Sequence, residues 1–143
     1  AHDVSLGGII VAICKMCIRG KKGIKIGKLK NLIVSCHDVS LGGILVAVSK
    51  MCIKGKKGMN IKPFKGLINK FEYFFGEDQA RYIVEIPKEN LEKVNEILNK
   101  YSVHFDKLGT VDAKSITYNT DINLPIEELA DVHKYWLKRY MDS

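Results

Sequence analysis

The pattern of apolar residues along this chain predicts an α+β fold, with helices packed on a mostly antiparallel sheet. Three observations carry that expectation. Short β-branched runs recur at Tyr82–Ile86, Val103–Val111 and Lys114–Tyr118. Segments with apolar residues at helical spacing separate and follow them, at Lys88–Tyr101 and Glu127–Tyr140. A strongly apolar helical segment precedes them all, so the order reads helix, strand, helix, strand, strand, helix.

The chain opens on His2-Asp3-Val4-Ser5-Leu6-Gly7-Gly8, and the same heptad returns as His37-Asp38-Val39-Ser40-Leu41-Gly42-Gly43. From His2 to Gly23 against His37 to Gly58 only four positions differ: Ile10/Leu45, Ile13/Val48, Cys14/Ser49 and Arg19/Lys54. This is a recent tandem duplication. Helical repeat arrays need three or more units to bury a core, and here the pattern stops after two, so one ordinary domain with a duplicated first segment is expected. The division is residues 1–35 for the duplicated helix-containing segment and 36–143 for the α+β domain.

In each copy an Asp or Ser stands ready to cap a helix. Asp3 or Ser5 would cap Leu6–Arg19, stopped by Gly20; Asp38 or Ser40 would cap Leu41–Lys54, stopped by Gly55. Both helices are apolar nearly all round and so need burial on more than one side. One copy is expected to pack elsewhere, against the other copy or a second chain. Between the copies, Lys25–Ser35 reads as a short strand or helix ending in Leu32-Ile33-Val34, and Gly66–Phe75 is an apolar, aromatic lead-in.

Downstream, Pro87 closes the strand Tyr82–Ile86, and Leu91, Val94, Ile97 and Leu98 give the next helix its apolar face. Val103–Val111 bends at Gly109, Asp121–Pro125 is a loop, and the last helix carries Leu129, Val132, Trp136 and Leu137 on one side.

An excess of 23 Lys and Arg over 16 Asp and Glu gives a formal charge of +7. The surplus concentrates in Arg19–Lys25 and its copy Lys54–Gly58, so much of it is duplicated charge. Placed after an apolar helix, these runs read first as solvated helix ends complementing the dipole, then as an anion site, and last as a nucleic-acid contact, because no aromatic residues interleave with them. No nucleic acid and no membrane partner are expected. The apolar stretch Ile9–Ile18 is too short to cross a bilayer and is interrupted by Lys15, which favours a soluble, cytoplasmic protein. The start at Ala1, inside a motif and without Met, suggests a piece of something longer.

Cys14, Cys17, Cys36 and Cys52 form no regular framework. Cys14-Lys15-Met16-Cys17 spells a CxxC, but Ser49 replaces the first Cys in the copy. Buried helix cysteines are expected, and no metal site.

His37-Asp38-Val39-Ser40-x-Gly42-Gly43 opening an apolar helix, Gly76-Glu77-Asp78-Gln79-Ala80-Arg81-Tyr82 entering a strand, the Gly109-Thr110-Val111 strand and the tail from Leu124 to Trp136 together resemble the C-terminal domain of phosphoribosylformylglycinamidine synthase of the large-subunit type. The resemblance covers roughly Cys36 to Met141. It implies the purine-pathway ligase reaction, in which ATP activates the amide oxygen of formylglycinamide ribonucleotide and ammonia from glutamine displaces it to form the amidine. It also implies the paired-domain architecture shared with aminoimidazole ribonucleotide synthetase, with ATP and Mg held largely on the N-terminal type of domain, and a glutaminase subunit or domain as partner. A lone domain of this kind is expected to be inactive.

The resemblance makes His37, Asp38, Ser40, Gly42, Gly43, Glu77, Gln79 and Arg81 the substrate- or anion-binding candidates, with His2, Asp3, Ser5, Gly7 and Gly8 as the duplicated motif. No catalytic residue is assigned. Gly-Gly at a helix start admits a ligand to backbone N–H groups, whose dipole favours phosphate. His37 is suited to donate to an oxygen, with Asp38 orienting it or binding a metal; the same Asp and Ser are also plain capping residues. Arg81 is divided between a cleft role and a structural ion pair. The family commonly has an acidic residue where this chain has Leu41, and Leu6 in the first copy, which removes any polar role there. The alternative reading is a non-catalytic association module or remnant, forming a homodimer or domain-swapped oligomer through its duplicated apolar helix.

Overall fold

The structure, a computed structural model, describes residues 9–13, 29, 31–64, 69–77, 81–111 and 114–142. Seven strands form one sheet: β1 (Ile9–Ile13), β2 (Ser35–Asp38), β3 (Met59–Ile61), β4 (Tyr82–Ile86), β5 (Phe105–Thr110), β6 (Ser115–Tyr118) and β7 (Ile122–Pro125). Their order across the sheet is β2-β4-β1-β5-β3-β6-β7. Every neighbouring pair is antiparallel except β3 with β6. The helices are α1 (Gly43–Gly55), α2 (Lys70–Phe75), α3 (Leu91–Lys100) and α4 (Ile126–Met141). The expected α+β class, with helices on a mostly antiparallel sheet, is therefore the observed one.

Two apolar clusters flank the sheet. One joins α1, α2 and α4 through Ile44, Val48, Phe74 and Ile126 to Ile83, Leu108 and Ile116. The other joins Val94 and Leu98 of α3 to Val84 and Ile86. Because successive strand residues face opposite ways, Ile83 enters the first cluster while Val84 and Ile86 enter the second. β4 is buried on both faces, and its run Tyr-Ile-Val-Glu-Ile shows correspondingly little alternation.

The first copy departs from expectation. A helix was expected over Leu6–Arg19, yet Ile9–Ile13 form β1, paired with β4 on one side and β5 on the other. The run Ile-Ile-Val-Ala-Ile is rich in β-branched residues that suit a strand as readily as a buried helix. The rest of the expected helix lies outside the described residues, as do Cys14 and Cys17. The second copy is helical, but its start and stop differ in detail. Asp38 ends β2 rather than capping α1, whose N-cap is Gly42, without a side-chain cap. At the far end Lys56, at φ 53°, takes the left-handed capping position one residue after the expected Gly55.

Further on, Ile122–Pro125 is a strand rather than a loop, joined to β6 by a tight turn with Asn119 at φ 47°. β3 was not foreseen: three residues are too few to show a period. The bend at Gly109 falls at a bulge, where Gly109 and Lys107 pair with successive residues of β1 and Leu108 is the extra one. In α4 the expected apolar face packs only in part. Ile126 is buried, but Val132 and Trp136 are more than half exposed, because the helix has left the sheet after its first turns. Cys52 is a buried helix cysteine as expected, whereas Cys36 is exposed on β2. No described helix is long and apolar enough to cross a membrane.

Candidate functional site

The motif His37–Gly43 spans the end of β2 and the turn into α1. Its shape comes from three constraints. Val39 N–H donates to the Arg81 carbonyl (2.8 Å), continuing the pairing of β2 with β4. Gly43 N–H then donates to the Ser40 carbonyl (2.9 Å), closing a turn. Gly42 and Gly43 take φ of 86° and 71°, conformations that side chains disfavour. A Cβ on Gly43 would lie 2.5 Å from the Phe74 carbonyl oxygen, so the space a ligand was expected to use is filled by the end of α2.

The second motif meets the first here. Glu77 Oε1 accepts the Gly42 N–H at 2.8 Å, placing a carboxylate at the positive end of α1. An internal carboxylate thus takes one of the backbone donors that an anionic ligand would use. Arg81 is buried, 6% exposed. Its guanidinium donates to the carbonyls of Gly76 (3.3 Å) and Tyr73 (3.4 Å) and lies 5.9 Å from the Tyr73 ring centroid. Among these contacts Arg81 fastens the C-terminal end of α2 to the sheet, a structural role carried by carbonyls.

Asp38, Ser40, Leu41, Glu77, Arg81 and Tyr82 line an open cleft of about 370 Å³. Five of the sequence candidates, Asp38, Ser40, Gly42, Glu77 and Arg81, therefore lie in or against one cleft. Gly43 is not among its lining residues and packs against Phe74 and Phe75. Leu41, where the family commonly has an acid, is 79% exposed on its wall. Val39 and Tyr82 also line the cleft; both stand within the quoted motifs but were not among the binding candidates. Gln79, His2, Asp3, Ser5, Gly7 and Gly8 lie outside the described residues.

His37 does not line this cleft. Strand alternation turns it away from Asp38, into a separate cavity beneath α1. Its Nδ1 is 2.6 Å from the Asp38 carbonyl oxygen and 3.6 Å from Asp38 Oδ1. A carbonyl only accepts, so Nδ1 carries the proton and a neutral ring keeps Nε2 as an acceptor. Nearby, partial desolvation against its neighbours, although the residue as a whole is exposed, and then the charge of Asp38 raise the Cys36 thiol above its ordinary pKa.

Residues 24–119 match the family described as AIR synthase related protein, C-terminal domain. Over all 143 residues the chain is 52% identical to the phosphoribosylformylglycinamidine synthase subunit PurL of Pelagibacter ubique, and 33% identical to that of Bartonella quintana. It spans only 15% and 14% of their lengths. Among solved structures, Thermotoga maritima PurL complexed with ATP superposes with a TM-score of 0.64 at 20% identity, over 87% of this chain and 25% of that one. The same protein complexed with FGAR gives 0.65 at 18%, over 87% and 28%. At such identity these structures bear on the fold alone. The resemblance read from the motifs is borne out, and the match, from residue 24, takes in the second copy of the heptad and not the first: the chain belongs to the AIR synthase related protein, C-terminal domain, family.

Proposed function

We propose that this domain serves as part of a phosphoribosylformylglycinamidine synthase, the ATP-dependent ligase that converts formylglycinamide ribonucleotide to its amidine in the cytoplasm. The observation that carries this reading is the 52% identity to the Pelagibacter subunit along the whole chain. In this reading the second heptad copy occupies the native position, and the working domain takes in β1 along with residues 36–143, because β1 lies between β4 and β5.

The described lining of the cleft does not by itself fit a nucleotide triphosphate. Its ionisable side chains are the carboxylates of Asp38 and Glu77 and a buried Arg81 that holds α2, so a phosphate chain would meet like charge. Among the described residues, no three His, Cys, Asp or Glu side chains are grouped to hold a metal ion. ATP and Mg therefore belong, in this reading, to a part of the enzyme outside the present chain. Asp38 and Ser40 instead suit the hydroxyl or amide donors of a ribonucleotide substrate, while Glu77 fixes the turn that presents them. A solved Thermotoga assembly named PurLQS supports association with further subunits, of which a glutaminase is the expected one.

The alternative, an association module built on a surplus apolar helix, loses its main support, because the core of the first copy is a strand inside the sheet.

The test is ADP release with ATP, Mg, formylglycinamide ribonucleotide and ammonia. The chain alone should show none, and the Pelagibacter subunit carrying this chain in place of its matching segment should turn over. Turnover by the chain alone would overturn the proposed division of labour; a folded but inactive chimera would overturn the assignment itself.

A further inference from the structure

α4 leaves the sheet with part of its apolar surface in the open. Ile126 is buried and Leu129 packs on the core, whereas Val132 and Trp136 are 55% and 57% exposed and Tyr135 38%. At 3.6 residues per turn Val132 and Tyr135 point about 120° and 180° away from Ile126, so the open flank is the one turned from the core. Glu128 and Arg139, both exposed, ride that same flank. Glu128, Val132, Tyr135 and Arg139 thus form one ridge, each about a turn from the next. Arg139 pairs with Asp131 of its own helix, and its fork of donors leaves room for a second carboxylate. Glu128 has no ion pair among the described residues.

The ridge reads acid, apolar, apolar, base, which makes it complementary to its own reverse. Laid antiparallel about a two-fold axis midway between His133 and Lys134, two copies set Glu128 of each level with Arg139 of the other, and Val132 of each level with Tyr135 of the other. Trp136 then lies beside Val132 of the second copy. A parallel pair would instead set like charges together at both ends. Acids in the first turn and bases in the last complement the helix dipole in any case, but that requirement does not place them on the apolar flank. We propose that α4 is a self-docking surface, through which two copies of this chain associate as an antiparallel helix pair. The interface is the last helix and not the duplicated segment, and α4 lines no part of the Asp38 cleft, so this association stands apart from the synthase reading. One helical face per subunit falls at the low end of specific interfaces, below roughly 1,200 Å², so the dimer is weak and reversible.

Trp136 is the chain's one tryptophan and supplies the readout. As the concentration of the full chain rises, sedimentation velocity should pass from monomer to dimer, while Trp136 emission shifts to the blue and its quenching by acrylamide falls. Glu128→Arg and Arg139→Glu should each weaken association about tenfold or more, because like charges then face each other at both ends. Mixed in equal amounts, the two variants should regain it, since each meets the opposite charge on the other at both ends. Circular dichroism melts report that each variant is folded. A chain monomeric up to millimolar concentration, a dimer indifferent to both reversals, or reversals that mixing does not repair in folded chains would overturn the proposal. So would a monomer whose Val132→Asp change disrupts only the Pelagibacter chimera, which would give the face to the rest of that enzyme.

Discussion

Two stretches of nearly the same sequence adopt different structures in this molecule. Ile9-Ile-Val-Ala-Ile13 is a strand, while Ile44-Leu-Val-Ala-Val48 lies within a helix. Two substitutions separate them, and the helix-propensity differences involved are about a few tenths of a kcal/mol. That is too little to choose a state. The neighbours choose it: β1 has a strand on each side, whereas α1 follows the Gly42-Gly43 turn and packs Ile44, Ala47 and Val48 into the larger cluster. An apolar β-branched run therefore states that it will be buried and leaves open how.

The contrast is most severely tested by proline. Ala12→Pro removes a donor from a strand paired on both sides, and Ala47→Pro breaks the interior of α1, so each should cost about 3 kcal/mol or more in urea unfolding. If Ala12→Pro were harmless while Ala47→Pro unfolded the chain, β1 would not belong in the sheet. Gly43→Ala should come next, at about 2 kcal/mol, because it combines a left-handed backbone with a clash against the end of α2.

A third contrast is one of pH. Burial, then the charge of Glu85, pushes the Cys52 thiol up to about 12 from an ordinary 9.0. The folded state then holds a proton that the unfolded state releases, so this contribution is complete below pH 9.0 and is lost as pH rises towards 12. The loss should approach about 1.4 kcal/mol per pH unit in that window, and Cys52→Ala should flatten the curve relative to the parent chain. The smallest effect belongs to the link between the two motifs. Glu77→Ala removes the acceptor for Gly42 N–H and should cost about 1 kcal/mol, with Glu77→Gln costing less because it keeps an oxygen there.

Much of this was legible in the residues. Tyr82–Ile86 was read correctly from its β-branched run closed by Pro87, and the helix around Val94 and Leu98 and the final helix because each is long and periodic enough to declare itself. β3 and β7 were not, since three or four residues carry no period and their strand character comes from β6 beside them. The site was legible as a set of residues but not as a geometry. Glu77 and Gly42 are far apart in sequence, and nothing local announces that one caps the other. That His37 lines a different cavity from Asp38 follows from strand alternation, which becomes visible only once the pair is assigned to β2 rather than to a helix cap.

The position of β1 also sets an order of assembly. Ile9 pairs with Ile86 and with Thr110, the latter about a hundred residues further along the chain. During synthesis the segment Ile9–Ile13 leaves the ribosome well before either flanking strand exists. Its apolar run must wait in a transient form until β4 and β5 are made, and Ile44–Val48 emerges in the interval with almost the same sequence. A long-lived exposed apolar segment is an aggregation risk. The yield of correctly folded chain should therefore depend on holding the first copy apart from the second until the centre of the sheet can close around it.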